Sequence, residues 1–325
     1  RRTRSQNALL VTQVALSVIL LAGAGLFVKS LVQARTMDLG LDPEGLIVAE
    51  VELNGEWEVE ARMDLANRAV QRIEALPGVV NASIASRPPF SGMAAFNLFV
   101  PGMDSLPAPP GVVPLVTIGS HDHLSNLGVQ TRQGRMYTSQ EVVAGIRVAI
   151  VTENMARGIW GRESAIGQCL LVSDRDSPCW EVVGVAETSH LTELTGDAPW
   201  QYYLPLGDPA MELGAGPGAI MVRARGDARD LLGPIRRELR AIDPGVRFAH
   251  VRLLQDLIDP KLRPWRLGAA MFSLFGVLAV LVAAVGLYSV LAFNVARRTR
   301  ELGVRSAMGA SRARLLRMVL RQAVG

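Results

Sequence analysis

Two long stretches of this chain carry no charged residue at all, and they limit what it can fold into more than any other feature. Residues 8–28 read ALLVTQVALSVILLAGAGLFV, with Thr12, Gln13 and Ser17 as the only polar side chains. Residues 267–295 read LGAAMFSLFGVLAVLVAAVGLYSVLAFNV. At 1.5 Å rise per residue, about 21 helical residues reach roughly 30 Å, the thickness of a hydrocarbon core. A core helix of a water-soluble domain is rarely apolar around its whole circumference. Both stretches therefore read as membrane spans rather than as a buried core helix or a signal anchor. The second exceeds the length a span needs, so it tilts or protrudes. Gly276 and Gly286 within it admit two readings: sites of close helix approach, or glycines that a membrane helix merely tolerates.

Charge sets the orientation. Basic residues gather at the two ends, as Arg1, Arg2 and Arg4 and as the run of arginines from Arg297 to Arg321. Between the runs, Lys29, Arg35, Lys261, Arg263 and Arg266 also lie near the membrane and weaken the bias. The outer ends are still the more basic, which puts both in the cytoplasm and residues 30–266 on the other side. A basic tail directly after a span is explained by topology and partner docking before nucleic acid. The chain opens on Arg1 and stops at Gly325 inside an amphipathic pattern, so it reads as cut at both ends. Its 49% hydrophobic and 20% charged residues fit separate apolar and water-facing segments better than one uniform globule.

The segment between the spans repeats a motif. Residues 46–53 (LIVAEVEL) predict a strand, 60–76 an amphipathic helix with Met63, Ala66, Val70, Ile73 and Leu76 on one face, and 79–85 a second strand after Pro77-Gly78. The order returns as a strand at 219–224, a helix at 228–242 and a strand at 246–251 after Pro244-Gly245. LPGVVNASI and DPGVRFAHV show the parallel directly. Two such β-α-β units pair into one α+β layer of split ferredoxin-like type. Residues 90–218 are then an insertion, read as mostly β. Its strands are expected at 112–118, 130–134, 148–152, 169–172, 181–185 and around Tyr202-Tyr203-Leu204, with one helix at 153–160.

Catalytic signatures are missing. No G-x-x-x-x-G-K-[ST] loop occurs, so any ATP is hydrolysed by another chain or by a part missing from this sequence. No G-x-S-x-G context supports a nucleophilic serine. His121-Asp122-His123 lacks further ligands at a metal-binding spacing and reads as a solvated loop. His190 and His250 are isolated. No enzyme, cofactor or metal site is expected. Cys169 and Cys179, the only cysteines, flank a turn at Asp174-Arg175-Asp176 and sit where two facing strands begin. They form a disulfide opposite each other across the hairpin if the domain is extracytoplasmic, or two buried thiols if it is not.

With these segments placed, the chain resembles the MacB/FtsX-like permeases of ATP-binding-cassette systems. Three stretches carry the likeness: LLVTQVALSVILLAGAGLFVKSL running into MDLGLDPEGLIVAEVEL; LSNLGVQTRQGRMYT with VAIVTENMARGIWGRESAIGQCL, WEVVGVAE and YYLPL; and RRTRELGVRSAMGASRARLLRMVL after the second run. The last is close to that family's E-[IL]-G-[IV]-R-x-A-[LM]-G-A signature. The opening span looks most like the second half of a duplicated permease, and the sequence stops before the last two of the family's four spans.

The resemblance implies a bacterial inner-membrane, multi-pass protein. Its large extracytoplasmic domain would divide into a porter subdomain (29–89 and 219–266) and an inserted sabre-like subdomain (90–218). It implies an export (efflux) or mechanotransmission role with a separate ATP-binding-cassette ATPase. Further partners would be a second permease half or protomer, membrane lipid and a periplasmic adaptor, with no nucleic acid. The rival reading is a membrane-anchored regulatory module that activates an extracytoplasmic enzyme without moving substrate. ATPase coupling is expected at Arg297, Arg298, Arg300, Glu301, Gly303, Arg305 and Gly309, where Glu301 lies four residues from both Arg297 and Arg305.

Overall fold

The computed structural model describes residues 2–35, 39–92, 94–191, 198–297 and 308. They fall into two compact units, one covering Thr36–Lys261 and the other combining Arg1–Arg35 with Leu262–Gly325. In chain order, helix α1 (Arg2–Arg35) is followed by β1 (Leu46–Leu53), α2 (Val59–Glu74) and β2 (Val79–Ala85). Next come β3 (Leu98–Phe99), β4 (Leu115–Gly119), α3 (His123–Leu127), β5 (Thr131–Gly134), α4 (Ser139–Val143), β6 (Val148–Thr152) and α5 (Glu153–Trp160). The chain continues through β7 (Cys169–Val172), β8 (Cys179–Ala186), β9 (Gln201–Pro205), α6 (Asp208–Met211), β10 (Ala219–Ala224), α7 (Arg229–Ile242) and β11 (Val246–Leu253) to α8 (Gln255–Arg297).

One mixed sheet of 11 strands runs through the larger unit in the order β11-β1-β10-β2-β4-β9-β6-β8-β7-β3, with β5 paired to β8. The two sequence repeats meet within it. β1 lies between β10 and β11, and β10 pairs with β2, all antiparallel. Helices α2 and α7 cover these strands because each presents an apolar stripe at helical spacing. Leu65, Ala66, Ala69 and Ile73 are buried on α2, and Leu231, Ile235, Leu239 and Ile242 on α7. They pack on Ile47, Ala49, Ile220, Val222 and Val251, which share one face of the sheet. Burying each large side chain stabilises the unit by about 1.5–3 kcal/mol.

Register then fixes what the rest of the sheet offers to each side. Ile84 of β2 lies on the helix-covered face together with Val116, Ile118, Tyr202 and Leu204, and α5 adds Met155 and Ile159 to that core. The alternate residues Ser83, Gly119, Thr117, Tyr203 and Gln201 therefore share the opposite face. There the short helix α3 brings His123 and Asn126 onto Ser83.

Two expectations change. The 90–218 segment holds three more short helices than expected, α3, α4 and α6 beside α5, while its seven described strands remain the larger part. Each of the three is too short for an apolar repeat to show in sequence. The β2–β4 joint also carries the sheet into that segment, through the single ladder pair Ala85–Gly119. The second apolar helix begins at Gln255, well before residue 267. Buried Leu254, Ile258 and Leu262 recur every four residues there and draw the chain into helix ahead of the uncharged run.

Candidate coupling site where the two links enter the domain

The segment arriving from α1 and the segment departing into α8 meet at one corner of the sheet. Ile47 opposes Leu253, and the Leu254 N–H donates to the Leu46 carbonyl at 2.9 Å. The incoming segment is pinned at Leu39 and Asp42. His190 N–H donates to the Leu39 carbonyl at 2.8 Å, and Asp42 N–H to the Leu127 carbonyl at 2.9 Å. Gly40 adopts φ +63°, and a Cβ there would fall 2.5 Å from the Thr188 carbonyl oxygen, so only glycine fits.

Arg223 of β10 holds this corner together. Its guanidinium donates to the Asp42 carboxylate at 3.0 Å, to the Asp42 carbonyl at 3.1 Å and to the Glu44 carbonyl at 2.6 Å. It also donates to the Asn126 carbonyl at 2.6 and 3.2 Å. One planar fork thereby joins the incoming link, α3 and the sheet. Burial lowers the Arg223 pKa and the Asp42 carboxylate counters it, and the group remains charged throughout the ordinary pH range.

Behind this clamp, Asn126 donates to Ser83 Oγ and to the Met221 carbonyl, each at 2.8 Å. His123 Nδ1 lies 3.3 Å from the same Ser83 Oγ. His123 is 1% exposed, which corrects the expected solvated loop. Its ring packs on Gly119, where a Cβ would lie 2.5 Å away. Burial pushes its pKa down to about 4 against a smaller upward pull from Asp122, so it is neutral at pH 7. His121, two residues earlier, stays half exposed. His123 opens α3 and turns inward, whereas His121 lies in the turn before the helix and stays out.

The smaller unit is a helix pair, built by placing bulk against small residues. Phe27 and Phe272 stack at 4.9 Å between ring centroids. A Cβ at Gly23 would lie 2.9 Å from Phe272, one at Gly268 2.5 Å from Phe27, and one at Gly276 3.2 Å from Leu21. Gly276 is thus a contact residue. Ser17 Oγ donates to the Gln13 carbonyl at 2.9 Å and lies 3.3 Å from the Ala279 carbonyl. Val11–Gln33 and Gln255–Gly286 are long and apolar enough to cross a membrane. Their outward residues, such as Leu26, Leu274 and Val285, are largely exposed, a surface suited to lipid rather than water.

Cys169 and Cys179 are bonded, with Cα atoms 5.5 Å apart. They are not opposite each other. Leu171 faces Cys179 and Cys169 faces Glu181, so the bond crosses the β7–β8 ladder diagonally. Arg175 in the turn donates to the Asp104 carbonyl at 2.5 Å and lies over the Phe99 ring. Elsewhere, Glu141 closes a capping box with Thr138 and a two-pronged ion pair with Arg135, which holds its carboxyl down at about 2.

The expected coupling residues Arg298, Arg300, Glu301, Gly303, Arg305 and Gly309 lie outside the described residues, and of Arg297 only its backbone, closing α8, is described. Sequence reading missed Arg223 and Asp42. A signal was there: Arg223 is the one charge in the apolar strand AIMVRA, and a buried guanidinium requires partners.

Two helices long and apolar enough to cross a membrane, with a disulfide-bonded α/β domain between them in the chain, define a membrane-anchored module. Residues 8–232 match the MacB-like periplasmic core domain family and residues 273–324 the FtsX-like permease C-terminal family. The chain belongs to the MacB/FtsX-like permease family. It is 21% identical over 210 residues to the uncharacterized ABC transporter permease YknZ of Bacillus subtilis, a match covering 63% of this chain and 52% of YknZ. It is 25% identical over 197 residues to the pyoverdine export ATP-binding/permease protein PvdT of Pseudomonas putida, covering 59% of this chain and 30% of PvdT. With the macrolide export ATP-binding/permease protein MacB of Aggregatibacter actinomycetemcomitans it shares 22% identity over 203 residues, 61% of this chain and 30% of that protein. The matches thus span 30% to 52% of the length of these relatives. The crystal structure of the periplasmic region of MacB from Actinobacillus actinomycetemcomitans aligns at TM-score 0.49 and 14% identity, covering 69% of this chain and 94% of that one.

Proposed function

We propose that this chain is the permease part of an ATP-binding-cassette export or mechanotransmission complex in a bacterial inner membrane. ATP hydrolysis by a separate subunit moves the two membrane helices, and they move the extracytoplasmic domain. The observation that carries this reading is the shared corner. The two links from the helices enter the sheet side by side at Leu46 and Leu254, and Arg223 fastens the incoming link to both β10 and α3. A relative displacement of the links would act on adjacent strands rather than on separate loops.

In this reading β1, α2, β2, β10, α7 and β11 form the split ferredoxin-like porter subdomain, and residues 90–218 the inserted sabre-like one. The ATPase is received at Arg297–Gly309, with Glu301 and Gly303 at the contact. A second permease half or protomer completes the membrane part, and a periplasmic adaptor meets the outer domain. The names of MacB and PvdT support export as the output. Reconstitution with the cognate ATPase tests this. Glu301→Lys and Gly303→Trp should abolish the ATP-dependent change in distance between spin labels placed on the two links, with the outer domain still folded. Unchanged ATPase stimulation and unchanged label distances in both variants would end the proposal and leave the regulatory module as the better account.

A further inference from the structure

At the end of β1 away from the link corner, the β1–α2 loop borders a cleft of about 580 Å³ lined by Val51, Leu53, Trp57, Arg62 and the carboxylates of Glu52, Glu56 and Glu58. A second cavity of about 50 Å³ shares Val51, Leu53 and Arg62 with it and continues beneath α2 and α7, between Leu65, Ala66 and Leu239. The two share one wall, with charged residues around the outer cleft and apolar ones around the inner cavity.

The aromatic wall of this recess is fixed in advance. Trp57 is half-buried, and its indole N–H donates to the Asn54 carbonyl at 3.0 Å. A Cβ on Gly245 would fall 2.4 Å from the ring, so the missing side chain lets the indole lie against the α7–β11 turn. Three acidic residues and one basic residue line the cleft, and of the acidic ones Glu52 is also within 3.9 Å of His250. Arg62 is itself turned to the Pro217 carbonyl at 2.6 Å, and Glu52 is shared with Arg247 at 3.7 Å. The balance at the mouth is negative, which attracts cations and repels anions.

We propose that this recess binds a small organic cation bearing a short aliphatic end, of the alkylammonium or alkylguanidinium class. The cation sits against the Trp57 face among Glu56 and Glu58, where ring quadrupole and carboxylates act together. The alkyl end passes Arg62 into the inner cavity, removing apolar surface from water. A volume of about 580 Å³ lies within the range of small-molecule pockets. The inner cavity accepts only the last few carbons of the chain, the rest lying along Val51, Leu53 and Arg62, which line both spaces, since a dry cavity of about 150 Å³ is what benzene needs. The site is independent of ATPase coupling and gives the outer domain a ligand of its own.

Calorimetry on the full chain in nanodiscs of uncharged lipid, with protein-free nanodiscs as blank, tests the assignment using hexyltrimethylammonium as probe. A ligand of about ten heavy atoms at ordinary efficiency should bind with Kd at or below about 1 mM. The double variant Glu56→Gln/Glu58→Gln, at exposed positions, should weaken it at least about ten-fold and flatten its salt dependence. Ala69→Leu, which fills the inner cavity, should weaken hexyltrimethylammonium while leaving tetramethylammonium unchanged. Absence of binding, equal binding of hexyl sulfate, or indifference to the double glutamine variant would each overturn the proposal.

Discussion

Replacing Arg223 by methionine keeps the aliphatic stem and removes the fork. Five hydrogen bonds go with it, but they are not equal. The Asp42 carboxylate is 60% exposed and regains water, whereas the Asn126 and Glu44 carbonyls lose a charged donor at 2.6 Å. A hydrogen bond from a charged donor is worth about 1.5–3 kcal/mol, and bonds sharing one side chain do not add fully. Counting the two close bonds and allowing for the packing that methionine retains gives about 2–3 kcal/mol for releasing the link. At about 1.4 kcal/mol per factor of ten, amides from 39 to 48 should exchange roughly 30–150 times faster. The amide to watch is Asp42, whose N–H is held by Leu127. Hydrogen exchange by mass spectrometry on the full chain in nanodiscs reads this directly, with β6 peptides as an unaffected reference. Arg223→Lys should fall between the two, because an ammonium keeps the charge but not the planar reach. If exchange at 39–48 stays within about two-fold of wild type, the clamp holds nothing and the argument from hydrogen bonds fails.

Three further outcomes follow from the geometry. His123 titrates at about 4 when folded against 6.5 when unfolded. The unfolded chain therefore takes up a proton in that window first, and stability present above about pH 6.5 declines as pH falls toward 4. Denaturant unfolding should lose about 2 kcal/mol between pH 7 and pH 5, and His123→Asn should remove that slope. An identical slope in the variant would assign it to other groups. Converting both Cys169 and Cys179 to serine opens a loop with a sequence separation of 10 and should cost about 2–3 kcal/mol on the chain-entropy account, read as a lower thermal midpoint. In membranes, cysteines at 21 and 276 should cross-link efficiently, and adding Gly23→Ile should abolish this by driving a side chain into Phe272. Persistent cross-linking would show that the helix pair does not rest on that contact.

How much of this was legible depended on how far each signal extends along the chain. The apolar runs and the two repeats ended by Pro-Gly span many residues, so periodicity and composition exposed them. Helix α3 has only five residues, and nothing in HDHLSNL marks which histidine turns inward. That is decided by Ser83 and Gly119, both distant in sequence. The diagonal placement of the disulfide escaped for a related reason. Residues flanking a turn identify a hairpin, but register is set by the turn's own geometry, here with Ser173 at φ 78°. Arg223 was visible as an anomaly in its strand, while its partners at 42, 44 and 126 became neighbours only through the fold.

The place of β1 in the sheet also bears on how the chain is made. Among the described strands of this domain it leaves the ribosome first, yet its neighbours β10 and β11 come last, more than 150 residues later. Until then both edges of LIVAEVEL are open, and its first four residues are among the most apolar of the domain. Loop-closure entropy for pairing β1 with β10 falls if residues 90–218 have already condensed, because a folded insert brings its own ends together. Assembly thus favours the middle of the chain first. The strand beginning and the strand ending the outer domain close last, and Glu50 and Glu52 supply the charge that discourages stray pairing while β1 waits.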